Sequence, residues 1–259
     1  MAMTIATSDS GGGAGIQADL KAFARSGVHG TSAIAALTAQ NTHEVISVHT
    51  IPRQIILDQV RAVAEDIGVD AVKIGMLFDR PTIEAVVEAL ALVVGAPVVV
   101  DPVMVAESGA VLLQPDAKRA LVEGIFPLAA VVTPNLGEAR ELSGLDDEAS
   151  TEELARAILA LGPAAVVVTG GHTESGADLF FDGEVLEEIE GPRHPDGASH
   201  GSGCTHSSAL AAHLARGFSP LEAARAARSI AAEAVGAGLR EIGEGAGPVD
   251  ALGVRDRSR

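Results

Sequence analysis

An α/β fold, built on a central, mostly parallel sheet with helices on both faces, is what this 259-residue sequence predicts. Three observations predict it. Short runs rich in Val, Ile and Ala alternate with amphipathic helical segments almost from end to end, the order that gives a parallel sheet with right-handed crossovers. Polar and glycine-rich segments fall where the apolar runs end, which is where open α/β sheets bind ligands. The stretch 178–190 (DLFFDGEVLEEIE) breaks the rhythm: an Asp-Gly pair between two short runs predicts a short antiparallel hairpin at a sheet edge.

Residues 3–7 form the first predicted strand and 15–26 the first helix, joined by SDSGGGAG (8–15). The glycines of that loop permit close backbone approach and should leave many N–H groups free for a ligand. It matches neither a P-loop, since no Gly-Lys-Ser/Thr follows, nor a dinucleotide fingerprint; a flexible βα loop is the plainer reading. A strand over 32–37 leads into Thr38-Ala39-Gln40-Asn41, whose two amides suit the edge of a heterocycle. Helix 53–67 and strand 71–74 follow, the strand ending at Gly75-Met76. Helix 81–94 and strand 97–100 come next, and there Asp101 either orients its loop or assists at a metal site.

Helix 116–124 and strand 130–133 lead to Asn135-Leu136-Gly137-Glu138, which opens a helix over 136–143. The pattern reads as a capping pair, Asn as N-cap with Glu reaching back. The alternative is an amide and a carboxylate holding Mg²⁺, usually through its waters, and the pattern alone favours the cap. Helix 151–161 and strand 165–169 precede Gly170-Gly171-His172. After the hairpin, helices over 205–216 and 220–239 close the chain. No repeat or linker is evident, so one domain over 1–259 is expected.

The most informative segment is Gly201-Ser202-Gly203-Cys204-Thr205, at the mouth of an Ala- and Leu-rich helix. A helix N-terminus presents unpaired N–H groups and partial positive charge, so it attracts anions. The same field, worth up to about 2 kcal/mol, should lower a thiol there by roughly one pKa unit. The plainer reading is a glycine turn before a core helix, with a small buried Cys.

Composition narrows the partners. A formal charge of −17 leaves no basic face for nucleic acid, yet a local nest of N–H groups still holds a phosphate, because surface charge is screened within about 8 Å. Lys occurs only at Lys21, Lys73 and Lys118, and Trp and Tyr are absent. No apolar run is long enough to span a membrane, and MAMTIATSDS lacks the pattern of a signal peptide. A single cysteine suits a reducing cytoplasm. Neither His172 nor His200 has zinc-site spacing to a second ligand.

Taken together, SDSGGGAGIQADLK (8–21), TAQNT (38–42), VKIGML (72–77), VVVDPVMVAESG (98–109), VVTPNLGEA (131–139), GGH (170–172) and HGSGCT (200–205) resemble the hydroxymethylpyrimidine/phosphomethylpyrimidine kinases of thiamine biosynthesis, within the ribokinase-like superfamily. The resemblance implies a ribokinase-like fold and two successive phosphorylations of 4-amino-5-hydroxymethyl-2-methylpyrimidine by ATP and Mg²⁺. It implies that Gln40 contacts the pyrimidine, with Ala14, Thr38, Met76, Val103 and Asp19 completing the substrate site. Asn135, Thr169, Gly171 and Thr205 are then on the nucleotide side, with Glu138, Asn135 and Asp101 at the metal. Gly201, Ser202, Gly203 and Cys204 form the anion hole, with Cys204 where sugar kinases carry an aspartate base. The N–H groups of 202–204 are expected to supply most of the catalysis and Cys204 a smaller proton-accepting share. A K⁺ requirement and a homodimer stay open.

Three residues depart from the family pattern. Thr7 stands where glycine is usual, which should add bulk beside the substrate. Glu107 and Thr169 stand where lysines are usual, removing two positive charges near the phosphates. Two rivals follow: a pyridoxal kinase on the same scaffold, and a pyrimidine-binding regulator without catalysis.

Overall fold

Alternation along the strands decides which face each residue occupies, and the computed structural model shows both faces of one continuous sheet. It describes residues 1–105, 109, 112–170, 176–195 and 197–254. In chain order the elements are β1 (Ala2–Asp9), α1 (Gly15–Arg25), β2 (Gly30–Gln40), β3 (Val45–Thr50), α2 (Arg53–Asp66), β4 (Ala71–Ile74) and α3 (Arg80–Leu90). Next come β5 (Val98–Val100), α4 (Pro115–Gly124), β6 (Val131–Val132), α5 (Leu136–Ser143), α6 (Thr151–Leu159) and β7 (Val166–Val168). The chain closes with β8 (Asp178–Phe181), β9 (Leu186–Ile189), α7 (Ser202–Ala215) and α8 (Pro220–Gly236).

The sheet order is β3-β2-β1-β4-β5-β6-β7-β8-β9. The six strands from β2 to β7 run parallel, and β8 and β9 form the expected antiparallel hairpin. The chain leaves β1 for β2 on one side and later returns to β4 on the other. The order therefore reverses between β1 and β4, and a crevice opens at their carboxyl ends.

Met3, Ile5, Val72, Ile74, Val98 and Val100 pack under α2 to α6. Ala2, Ala71, Val99, Val131 and Val167 pack on the opposite face with α1, α7 and α8. Continuing the period of two, Thr4, Lys73 and Asp101 fall on the α1/α7 face, toward the carboxyl ends of their strands. Among the described residues no helix is long and apolar enough to cross a membrane.

Two elements differ from expectation. Strand β3 pairs antiparallel with β2, although its sequence VISVHT shows no fully buried position. As an exposed edge it needs no apolar face, so alternation is missing. The turn into it was legible in another way: Asn41 Oδ1 accepts the His43 and Glu44 N–H groups at 2.8 and 2.9 Å, an Asx turn. Helix α7 begins at Ser202 rather than 205, because Gly201 adopts the left-handed conformation (φ 84°) as its N-cap. The helices expected to reach 94 and 239 end at Leu90 and Gly236.

Candidate active site

Two helix N-termini meet above the β1/β4 crevice. A Cβ on Gly201 would lie 1.9 Å from the Gly13 carbonyl oxygen and 3.6 Å from Ala14 Cα, so the α7 cap and the loop into α1 are in contact. Only glycine fits there, by conformation and by space. Neither Ala14, the N-cap of α1, nor Gly201 supplies a side-chain cap. Both first turns therefore face the crevice with their positive ends. The Gly15 N–H of α1 points at the Cys204 sulfur in the first turn of α7.

The donors of this cradle are fewer than expected. The Ser202 N–H is taken by Ser199 O at 2.9 Å, and the Thr205 N–H bonds back to Gly201 O. The Gly203 and Cys204 N–H groups remain as the uncapped donors of α7. The loop SDSGGGAG likewise spends most of its N–H groups on itself. The Asp9 carboxylate accepts from Gly11, Gly13 and Ala14 at 2.7, 3.0 and 2.8 Å, and the Asp9 carbonyl takes Gly12. The protein's own anion fills that nest. Burial works against the Asp9 charge, but His200, whose Nε2 is 3.4 Å away, and the Ala14 and Gly11 N–H groups hold it below the usual carboxylate range.

Cys204 reverses the expectation of a lowered thiol. Burial pushes it up to about 12, and Asp101 and Asp19 reinforce the rise; Lys73 and the Gly15 N–H oppose it without prevailing. The resting side chain is a neutral thiol.

The carboxylates sit beside the cradle. A Cβ on Gly203 would be 3.9 Å from Asp101 Oδ2, and Ser207 donates to the same oxygen at 3.0 Å. Asn135 and Glu138 form a complete capping box: Glu138 Oε2 accepts the Asn135 N–H at 2.9 Å, and Asn135 Oδ1 accepts the Glu138 N–H at 3.0 Å. The plainer reading of that pair is thus present, and the Met104 N–H also bonds the Glu138 carboxylate. Burial and then the nearby Asp101 charge push Glu138 up to about 8. Burial also raises Asp101, with Lys73 the strongest opposing influence. Two buried carboxylates short of positive charge fit a divalent cation. Among the described residues no three His, Cys, Asp or Glu side chains gather to hold a metal unaided, so water and phosphate oxygens would complete its shell.

The residues expected on the substrate side lie at the carboxyl ends of β1, β2, β4 and β5. The Thr38 hydroxyl is 3.1 Å from both Ser8 O and Gln40 Oε1, which fixes the Gln40 amide. Ala14, Gln40, Met76 and Val103 are half-buried and reachable. The Thr7 hydroxyl donates to Met76 O at 2.9 Å, and its N–H bonds there too. The expected bulk at Thr7 is therefore turned into the fold, where it fastens the Met76 loop. Asn41 spends its carbonyl oxygen on the Asx turn, so only its NH₂ remains for a ligand.

Two expected contacts do not form. Asp19 is 0 % exposed and fully engaged by Thr4, Lys73 and Ser208, so it cannot touch a substrate. Thr205 is likewise 0 % exposed, its hydroxyl sealed in the core. Thr169 is half-buried, bridged to Asn135 and bonded to Pro134 O. Gly171, His172 and Glu107 lie outside the described residues.

Residue patterns alone missed a polar layer beneath the site. Lys73 interrupts an apolar strand, a signal in itself. Ser207 and Ser208 tie α7 to Asp101 and Asp19. His206 Nε2 lies 2.9 Å from Asp178 Oδ2, while Asp178 Oδ1 accepts the Gly170 N–H at 2.8 Å. That pair joins α7 to the strand end carrying Thr169.

Known proteins resemble this chain in sequence and in fold. A family model described as phosphomethylpyrimidine kinase matches residues 9–250. A hydroxymethylpyrimidine/phosphomethylpyrimidine kinase of Rhizobium meliloti is 49% identical over 96% of both chains. The ADP complex of Bacillus subtilis pyridoxal kinase superposes with a TM-score of 0.88 at 38% identity, covering 98% of each chain. A phosphomethylpyrimidine kinase of Clostridium difficile gives 0.77 at 40% identity, over 88% of this chain and 95% of its own.

Proposed function

This chain belongs to the phosphomethylpyrimidine kinase family, and we propose from that premise that it transfers phosphoryl groups from ATP to 4-amino-5-hydroxymethyl-2-methylpyrimidine and then to its monophosphate, in thiamine biosynthesis. One observation carries the assignment of the site: two helix N-termini converge on Cys204, with Asp101 and Glu138 beside them, at the point where the strand order reverses. The continuous sheet supports reading the chain as one kinase domain.

The chemistry follows from the charges. The substrate's hydroxymethyl oxygen forms a bond to the γ-phosphorus while the bond to the ADP oxygen breaks, and the hydroxyl proton is released. Charge spreads over the equatorial oxygens of a loose transition state. The Gly203 and Cys204 N–H groups are placed to receive it, aided by both helix ends. Glu138, Asn135 and Asp101 would hold Mg²⁺, which would neutralise phosphate charge, and beside it both carboxylates would be ionised. In a loose transition state the hydroxyl proton is lost late and passes to an oxygen of the transferred phosphoryl group, so the neutral thiol has only to accept a hydrogen bond from the hydroxyl. Gln40, held by Thr38, orients the ring; Met76, Ala14 and Val103 flank it. Thr169 and Asn135 border the nucleotide side.

A second reading rests on the near-complete superposition with a pyridoxal kinase, since pyridoxal also carries a hydroxymethyl group on a nitrogen heterocycle. Purified protein incubated with ATP, Mg²⁺ and each candidate substrate, with products identified by mass spectrometry, separates the two. Mono- and pyrophosphorylated pyrimidine are expected. Pyridoxal phosphate as sole product would transfer the assignment, and pyrimidine binding without turnover would make the protein a regulator.

A further inference from the structure

Lys73 is 0 % exposed, and no step of the reaction above uses it. Its Nζ bonds Asp19 Oδ1 at 2.8 Å. Asp19 also accepts Thr4 Oγ1 at 2.6 Å and Ser208 Oγ at 2.7 Å. Ser208 lies four residues beyond Cys204 on α7, hence on the same helix face. A Cβ on Gly75 would come within 2.7 Å of Lys73 Nζ, so the ammonium also abuts the strand end that leads into Met76. These contacts put a buried cation behind Cys204, on the side away from solvent.

Stability alone explains this poorly. A buried ion pair is often no better than apolar residues of similar volume, and β4 is otherwise apolar. The fixed charges around the Cys204 sulfur are Lys73 from β4, Asp101 beyond β5 and Asp19 from α1, and Lys73 acts on it most strongly.

We propose that Lys73 is a positioning residue of the transfer reaction: anchored by Asp19, its ammonium sets the potential beneath Cys204 and the Gly203/Cys204 N–H cradle, so that negative charge can be accepted there. Lys73 touches neither substrate nor nucleotide. The catalytic consequence rests on the kinase reading; the potential at the sulfur does not.

The single thiol reports that potential without any turnover. Iodoacetamide alkylation of Cys204 is followed by mass spectrometry across pH in metal-free buffer for wild type, Lys73→Met and Lys73→Arg. Met nearly matches lysine in volume but carries no charge; Arg keeps the charge and is larger. Lys73→Met should alkylate about tenfold more slowly at a given pH, equivalent to one pKa unit, while Lys73→Arg stays near wild type. The reverse ordering, or equal rates in all three, would overturn the proposal in favour of packing. Should Lys73→Met not fold, Lys73→Met/Asp19→Asn removes both charges. It should still alkylate more slowly than wild type, and an unchanged or faster rate overturns the proposal. In the kinase assay Lys73→Met should lose kcat with KM for the pyrimidine unchanged. A wild type without kinase activity would refute the function while the thiol ordering still decided the role of Lys73.

Discussion

Cys204 shows how two opposing fields are resolved at one atom. A helix N-terminus favours a thiolate by up to about 2 kcal/mol. Burial and two neighbouring carboxylates prevail over it, leaving a thiol near 12. Alkylation of this sole cysteine should therefore be slow at pH 7 to 8 and climb steadily past pH 9; a plateau below pH 9 would show a lowered thiol instead. Glu138 presents a complementary case, since it caps α5 and faces Asp101 at once. Glu138→Gln keeps a capping side chain but removes the charge. It should change the melting temperature little, while kcat/KM falls about 10- to 100-fold and more Mg²⁺ is needed for half-maximal rate. Equal losses of stability and activity would mean that capping is its whole role.

The α7 entry decides the site at the level of elements. Gly201→Ala would force a left-handed residue, costing about 1–2 kcal/mol, and drive a methyl into Gly13 O. Thermal unfolding should show a loss at least that large, accompanied by loss of phosphorylation; an unchanged melting curve would mean the two loops are not in contact. The parallel core was legible in the sequence because β4 to β7 are apolar runs buried on both faces, a pattern composition exposes directly. Strand β3 was not, because an exposed edge needs no alternation. The start of α7 is hidden in sequence because its first three residues, Ser202-Gly203-Cys204, are poor helix formers, and only the αL cap reveals that they are helical. The glycine loop looks like an open nest in sequence because nothing local announces that Asp9 folds back into it. Lys73 and Asp19 were separable in sequence but meaningless until β4, α1 and α7 were stacked.

At the scale of the whole molecule, Lys73, Asp19 and Asp101 gather on one face of the sheet, with α1 and α7, and Glu138 joins them from the N-terminus of α5 on the other. Two carboxylates tie that functional face together. Asp9 organises the loop into α1. Asp178 joins Gly170 to His206; burial works against its charge, but His206 and the Gly170 N–H hold it below the usual range. A carboxylate depressed in the folded state stabilises it above the unfolded pKa, about 3.9 for Asp, and that stability is lost as pH falls through the folded value. Urea midpoints should therefore show no contribution from these two groups to pH dependence above about pH 5. The midpoints should drop below pH 4, and the drop should be shallower in Asp178→Asn. An acid limb as steep in the variant as in wild type would remove Asp178 from that role.

We propose that the backbone cradle on this face, rather than the cysteine side chain, is the main source of transition-state stabilisation. The most direct measurement is kcat for pyrimidine phosphorylation by wild type and Cys204→Ser at saturating ATP and Mg²⁺, with folding checked by thermal melting. Serine retains the N–H and the helix ends, so Cys204→Ser should keep most of kcat. Complete loss of turnover in a folded variant would contradict this and make the thiol itself the essential group.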